Sequence, residues 1–113
     1  EELELNRLKG NIFENMILAE FQKQNQHLYL HQDHYFWQDS NAHEVDLLMK
    51  KGQGFSIFEI KATQTISTAL FKEMDRFEEI AKPAQVNKTL VYGGDENQKR
   101  TNYEVLSWQN ISG

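Results

Sequence analysis

Residues 44–61 read EVDLLMKKGQGFSIFEIK, and the way this stretch folds back on itself decides the architecture. Gly52-Gln53-Gly54 is turn chemistry for a tight hairpin between two runs of β-forming residues. A two-residue loop at Gly52-Gln53 pairs Lys51 with Gly54. A four-residue loop over Lys51–Gly54 pairs Lys50 with Phe55, which is the same register. Counting back, Leu48 stands opposite Ile57, Asp46 opposite Glu59, and Glu44 opposite Lys61. Strand side chains alternate with period two, so the expectation is that Glu44, Asp46, Glu59 and Lys61 project from one face.

That face also carries Leu48, Phe55 and Ile57, which marks it as largely buried. Two carboxylates directly opposite each other destabilise an ordinary sheet. Buried, they must share a proton, find cations, or bind a metal. Lys61, two residues after Glu59 on the same face, is placed to supply a compensating ammonium. A hard divalent cation such as Mg2+ takes carboxylate oxygens and keeps several of its waters. The plainer reading makes Glu59 and Lys61 solvent-facing residues of a half-exposed sheet, with Asp46 near a strand end.

The rest of the chain supplies elements to surround this hairpin. Leu5, Leu8, Ile12, Met16 and Ala19 recur at spacings of three and four, and Phe13, Ile17 and Phe21 form a second apolar stripe. The pattern predicts a helix over Leu8–Gln24 that touches the core on more than one side, with Glu1–Gly10 reading as the tail of a preceding element. Glu14 has Ile17, Leu18 and Phe21 as helical neighbours, a costly setting for a carboxylate without a partner. It is the favoured outer ligand for the hairpin acids. Glu20 has a similar setting and reads as a structural hydrogen-bond or ion-pair partner. Leu28–Trp37 reads as one or two short strands with a break near His31–His34, and Asp39–Ala42 as a polar turn. Ser67–Ala81 reads as a helix closed by Pro83. Lys88–Tyr92 and Tyr103–Trp108 read as strands separated by a turn at Gly93–Asn97. A hairpin followed by strand, helix and strand implies a mixed central sheet with flanking helices.

Composition bounds the functional classes. The 113 residues suit a single domain. With no cysteine, disulfide frameworks and cysteine-based zinc sites are excluded. No apolar run approaches the roughly 20 residues needed to span a bilayer, and no signal peptide is visible. The expected setting is cytoplasmic. A formal net charge of −5 counts against tight nonspecific DNA binding by this chain alone, because that needs clustered Lys and Arg. Residue 1 is glutamate and not methionine, which suggests a piece of a longer protein.

From Asp46 to Glu59-Ile60-Lys61, with 12 residues between the two acids, the chain resembles the PD-(D/E)XK nuclease superfamily. Val45 stands where that superfamily's name puts proline. A longer ordered set, Gly10-Asn11-Ile12-Phe13-Glu14-Asn15, Glu20, Tyr35-Phe36-Trp37, Glu44-Val45-Asp46 and Phe58-Glu59-Ile60-Lys61, is similar to a nuclease-like module of unknown function at the C-terminus of a family of prokaryotic AAA-type ATPases. The resemblance implies an αβββαβ restriction-endonuclease-like core, a site of Glu14, Asp46, Glu59 and Lys61, and an N-terminal ATPase beyond this chain. No GxxxxGK[ST] loop is present, so the chain itself carries no Walker site.

The expectation that follows is a Mg2+-dependent nuclease acting on nucleic acid, DNA first, with Mn2+ as a substitute ion. Asp46, Glu59 and the main-chain carbonyl of Ile60 would bind the metal. Lys61 would orient the attacking water, and Glu14 would position a metal-bound water or a second ion. A different class of function is an inactive nuclease fold that docks DNA or protein for the attached ATPase. A third is a small α/β domain with no site. Of the other candidates, His27, His31, His34 and His43 read as surface histidines and not zinc ligands, and Tyr35, Phe36 and Trp37 as packing residues before base-stacking ones. Lys50, Lys51, Lys72, Lys88, Lys99 and Arg100 read as scattered charges. Asp75, Glu78 and Glu79 read as the exposed face of the second helix.

Overall fold

The computed structural model describes the backbone of residues 2–27, 34–38 and 44–111, and the side chains of 2–23, 45–50 and 52–111. The elements run α1 (Glu2–His27), β1 (His34–Gln38), β2 (Glu44–Lys51), β3 (Gly54–Lys61), α2 (Lys72–Ala81), β4 (Val86–Tyr92), β5 (Gln98–Arg100) and β6 (Tyr103–Ser107). The αβββαβ order expected from the sequence is present, followed by a further short hairpin. The six strands form one mixed sheet in the order β1-β2-β3-β4-β6-β5. β1, β2 and β3 are antiparallel, β3, β4 and β6 are parallel, and β5 returns antiparallel on β6.

The β2–β3 register is the one the turn chemistry predicts. Lys51 pairs with Gly54, Lys50 with Phe55, and Leu48 with Ile57. Gly52 occupies the left-handed region at φ +61°, which a two-residue turn needs and a glycine adopts without steric cost.

Each face of the sheet has its own apolar layer, because alternate residues along the central strands point opposite ways. Ile57 of β3, Val86 and Leu90 of β4 and Val105 of β6 meet Phe71, Met74 and Phe77 on the α2 side. Phe58 and Ile60 of β3, Val91 of β4 and Leu106 of β6 meet Phe13, Ile17, Leu18 and Phe21 on the α1 side. Phe21 rests on Phe58 with ring centroids 4.9 Å apart.

Four expectations change. α1 begins at Glu2 and runs through Gly10 to His27, where the sequence suggested Leu8–Gln24. Good helix formers before Gly10 offset the roughly 1 kcal/mol that one interior glycine costs. Phe13, Ile17, Leu18 and Phe21 pack on the sheet, and Leu5, Leu8, Ile12 and Met16 face outward. The segment from Ser67 enters as a 3-10 turn at Thr68–Phe71, with no side-chain cap from Ser67, before α2 proper. β5, at Gln98–Arg100, is a strand for which the sequence pattern gives no signal. The expected strand at 28–33, the turn at 39–42, and the side chains of all four histidines and of Tyr35, Phe36 and Trp37 lie outside the described residues. Among the described residues no helix is long and apolar enough to cross a membrane.

Lys88 is the polar exception inside the α2 layer. Its side chain is almost fully buried under α2, with Nζ 2.7 Å from Glu78 Oε1 and 3.1 Å from Asp75 Oδ1. The Tyr103 hydroxyl also donates to Asp75 Oδ1, and the ammonium lies 4.5 Å from the centroid of the Tyr103 ring. Burial works against the charged ammonium, but the two carboxylates more than offset it and raise the group above its ordinary value. Lys88, Asp75 and Glu78 are therefore a structural cluster, where the sequence suggested solvated charges.

The layers depend on Leu90, which is fully buried between α2 and the sheet. Leu90→Ala is expected to lower the unfolding free energy by about 3 kcal/mol, read as a fall in the urea midpoint at unchanged m-value.

Candidate metal centre at the fork between β2 and β3

β2 and β3 pair regularly as far as Leu47 and Phe58. Beyond that point the backbones stop bonding to each other directly, and two carboxylates take over. The Ile60 N–H donates to Asp46 Oδ2 at 2.8 Å. The Asp46 N–H donates to Glu59 Oε1 at 3.2 Å. Each acid thus bonds to the main chain of the opposite strand.

The cause lies on the other edge of β2. From Tyr35 to Trp37, β1 advances two residues while β2 advances three, from Leu48 to Val45. The extra residue is a β-bulge, a device that re-aims a side chain. Its effect on alternation is visible in the core, where Val45 and Leu48 pack in the same layer although three residues apart. The expectation that Asp46 shares one sheet face with Leu48, Glu59 and Lys61 is therefore corrected. The bulge turns Asp46 toward β3, into the gap between the strands, and its carboxylate meets a main-chain N–H there. The Glu44 side chain lies outside the described residues.

Asp46 is 8% exposed and Glu59 4%. Lys61, about half exposed, holds its ammonium 3.9 Å from Glu59 Oε2, the oxygen not engaged by the Asp46 N–H. The N–H and C=O of a strand residue project toward the same neighbour. The carbonyl of Ile60 therefore points the way its N–H does, toward Asp46. The cluster sits at the carboxyl ends of the parallel strands β3 and β4, where Glu59 is level with Leu90 and Lys61 with Tyr92. Open α/β sheets commonly bind ligands at such ends.

Just past the fork, the Gly93 N–H donates to the Thr63 carbonyl at 2.8 Å. A Cβ at Gly93 would lie 2.2 Å from the Ala62 carbonyl oxygen. Only glycine lets the two chains leave the sheet this close together.

Asp46, Glu59 and Lys61 are thus brought together. Glu14 is partly buried on α1, one turn before Ile17, and that helix packs on Phe58 and Ile60, the residues flanking Glu59 that face away from α2. Glu14 and Glu20 both have interaction partners. Among the described residues no three acidic or histidine side chains form a group that could hold a metal, so Glu14 is not joined to the pair in such a group.

Residues 9–111 match the profile of a family described as Domain of unknown function (DUF4143). The chain belongs to DUF4143. The match spans nearly all of the described fold, from the third turn of α1 to the residue after β6 and its closing 3-10 turn. No curated protein and no solved structure matches the chain. Within this DUF4143 fold, the feature that the sequence pattern missed is the bulge at Asp46.

Burial, and then the charge of Asp46, push the Glu59 carboxyl up from 4.5 to about 8, with Lys61 pulling the other way. Below pH 4.5 this group is protonated in both folded and unfolded chains. Between 4.5 and about 8 only the unfolded chain has released the proton. The folded state therefore loses stability as pH rises through that window. With metal chelated, the urea midpoint of the wild type is expected to fall more steeply from pH 5 to 8.5 than that of Glu59→Gln. Equal slopes would mean that Glu59 is not held protonated.

Proposed function

We propose that this DUF4143 fold is a divalent-cation-dependent nuclease-like domain whose centre is the Asp46–Glu59 fork. The observation that carries the reading is a pair of nearly buried carboxylates with one ammonium 3.9 Å away. Burial and the neighbouring Asp46 keep a proton on Glu59 up to about pH 8; a divalent cation would displace that proton, and Mg2+ is commonly held by one or two carboxylates with waters completing its shell. Asp46, Glu59 and the Ile60 carbonyl fit that donor set, being all-oxygen and within one hydrogen-bonded fork.

A bound Mg2+ would supply an acidified water and charge neutralisation at a phosphoryl oxygen. The chain's own residues divide the remaining tasks. Asp46 is oriented by the Ile60 N–H, and Glu59 by the Asp46 N–H, so both present carboxylate oxygens from fixed positions. Lys61 is exposed enough to meet a phosphate while staying beside Glu59, where it can orient a water and stabilise charge developing at phosphorus. The resemblance would give Glu14 an outer, water-positioning role, which its place on α1, apart from the acidic pair, does not support. DNA is the substrate that the resemblance to PD-(D/E)XK nucleases favours.

The acidic balance of the chain supports a second reading. With a net charge of −5, the domain would be a nuclease fold that docks DNA or protein for an attached AAA-type ATPase without cutting.

Titration calorimetry with Mn2+ and plasmid cleavage with Mg2+ separate the readings. The wild type is expected to bind Mn2+ and to cut. Asp46→Asn should lose both. Lys61→Ala should keep the metal but lose roughly a hundredfold or more in cleavage rate. Mn2+ bound by wild type with no cleavage of any DNA favours the scaffold. Binding unchanged in Asp46→Asn removes the metal centre altogether.

A further inference from the structure

α1 is apolar on two opposite sides. Phe13, Ile17 and Phe21 pack on the sheet. Leu5, Leu8, Ile12 and Met16, spaced three, four and four, form a separate line along the helix. They are 51%, 54%, 59% and 47% exposed. At 100° per residue this line lies on the far side of the helix from Ile17. Exposed Ala19 and Lys23 continue it toward the C-terminal end. The helix is about 39 Å long at 1.5 Å per residue, so the line forms an edge that the described residues leave uncovered. A helix apolar on both sides is ordinarily buried on both, and a continuous exposed apolar stripe marks an interaction surface.

Charge along the helix selects the occupant. The N-terminal end carries Glu2 and Glu4 followed by Arg7 and Lys9, and Glu20 and Lys23 lie toward the C-terminal end, Lys23 within the stripe. A second α1 laid antiparallel with nearly full overlap would set Ile12 against Met16 and Leu8 against Ala19. It would place Leu5 against the methylene stem of Lys23, and Glu4 beside the Lys23 ammonium. Each contact then occurs twice, as two-fold symmetry requires. The helix dipoles also oppose each other favourably. Parallel pairing would set Lys23 against Lys23 and Glu4 against Glu4. An anionic lipid surface is disfavoured by the net charge of −5.

We infer that α1 is a homodimerisation helix, which pairs antiparallel with α1 of a second copy through Leu5, Leu8, Ile12 and Met16. The inference does not rest on the metal centre, since the stripe faces away from the sheet.

Sedimentation equilibrium of the 113-residue chain tests it. The wild type is expected at twice its 13.3 kDa mass, and Leu8→Glu with Ile12→Glu at the monomer mass with an unchanged far-UV spectrum. Lys23→Glu should weaken the dimer roughly tenfold, and adding Glu4→Lys should restore it. The chain has no cysteine, so single introduced cysteines report geometry. Asn15→Cys, near the proposed two-fold axis, should cross-link under mild oxidation. Leu5→Cys, which would meet its own copy only in a parallel pair, should not. A monomeric wild type, including one that instead binds a different protein, overturns the inference. So does a dimer indifferent to Leu8→Glu with Ile12→Glu, or the reverse cross-linking pattern.

Discussion

The Ile60 N–H bonded to the Asp46 carboxylate is the interaction on which the arrangement of this domain turns. An ordinary antiparallel ladder would give that N–H a backbone carbonyl on β2. Here β2 has gained a residue relative to β1, and the side chain of Asp46 fills the position instead. The exchange keeps a buried backbone donor satisfied. It also fixes a carboxylate inside the protein, beside Glu59, at the point where the sheet opens. A local irregularity in strand pairing thus becomes a place with unusual electrostatics.

The surrounding layers make that irregularity sustainable. β3 is flanked by β2 on one edge and by β4 on the other, and its two faces are covered by α2 and by α1. Water is largely excluded, so charge in the fork is felt strongly. Lys88, a few residues along β4, shows the opposite solution to the same problem. There one buried cation meets two carboxylates on α2; in the fork two buried acids meet one partly exposed cation. The first cluster is closed by its own side chains. The second is closed by a proton retained on Glu59, which a metal ion could displace.

Local features were legible in the sequence and long-range ones were not. Gly52-Gln53 and the flanking β-formers specify the hairpin register without reference to the rest of the chain, and Met74, Phe77 and their neighbours specify the buried side of α2. The juxtaposition of Asp46, Glu59 and Lys61 followed from that register. The bulge did not, because it is a mismatch between β1 and β2, and no residue type in Glu44-Val45-Asp46 announces it. β5 is three polar residues at a sheet edge and has no apolar alternation to detect. For Lys88 a signal existed: a lysine inside an otherwise apolar strand, with two acids three residues apart, Asp75 and Glu78, on the helix before it. For α1, periodicity found both apolar stripes but could not tell which one the domain covers, since that depends on where the helix meets the sheet.

The tight crossing at Gly93 makes the opening next to Glu59 lopsided. On the β4 side the two departing chains are stitched together, main chain against main chain, with no room for even a methyl group. On the β2 side the strands are joined only through carboxylates. The fork therefore has one side fixed by main-chain contact and one held only by side chains, and the side held by side chains is the one that bears Asp46.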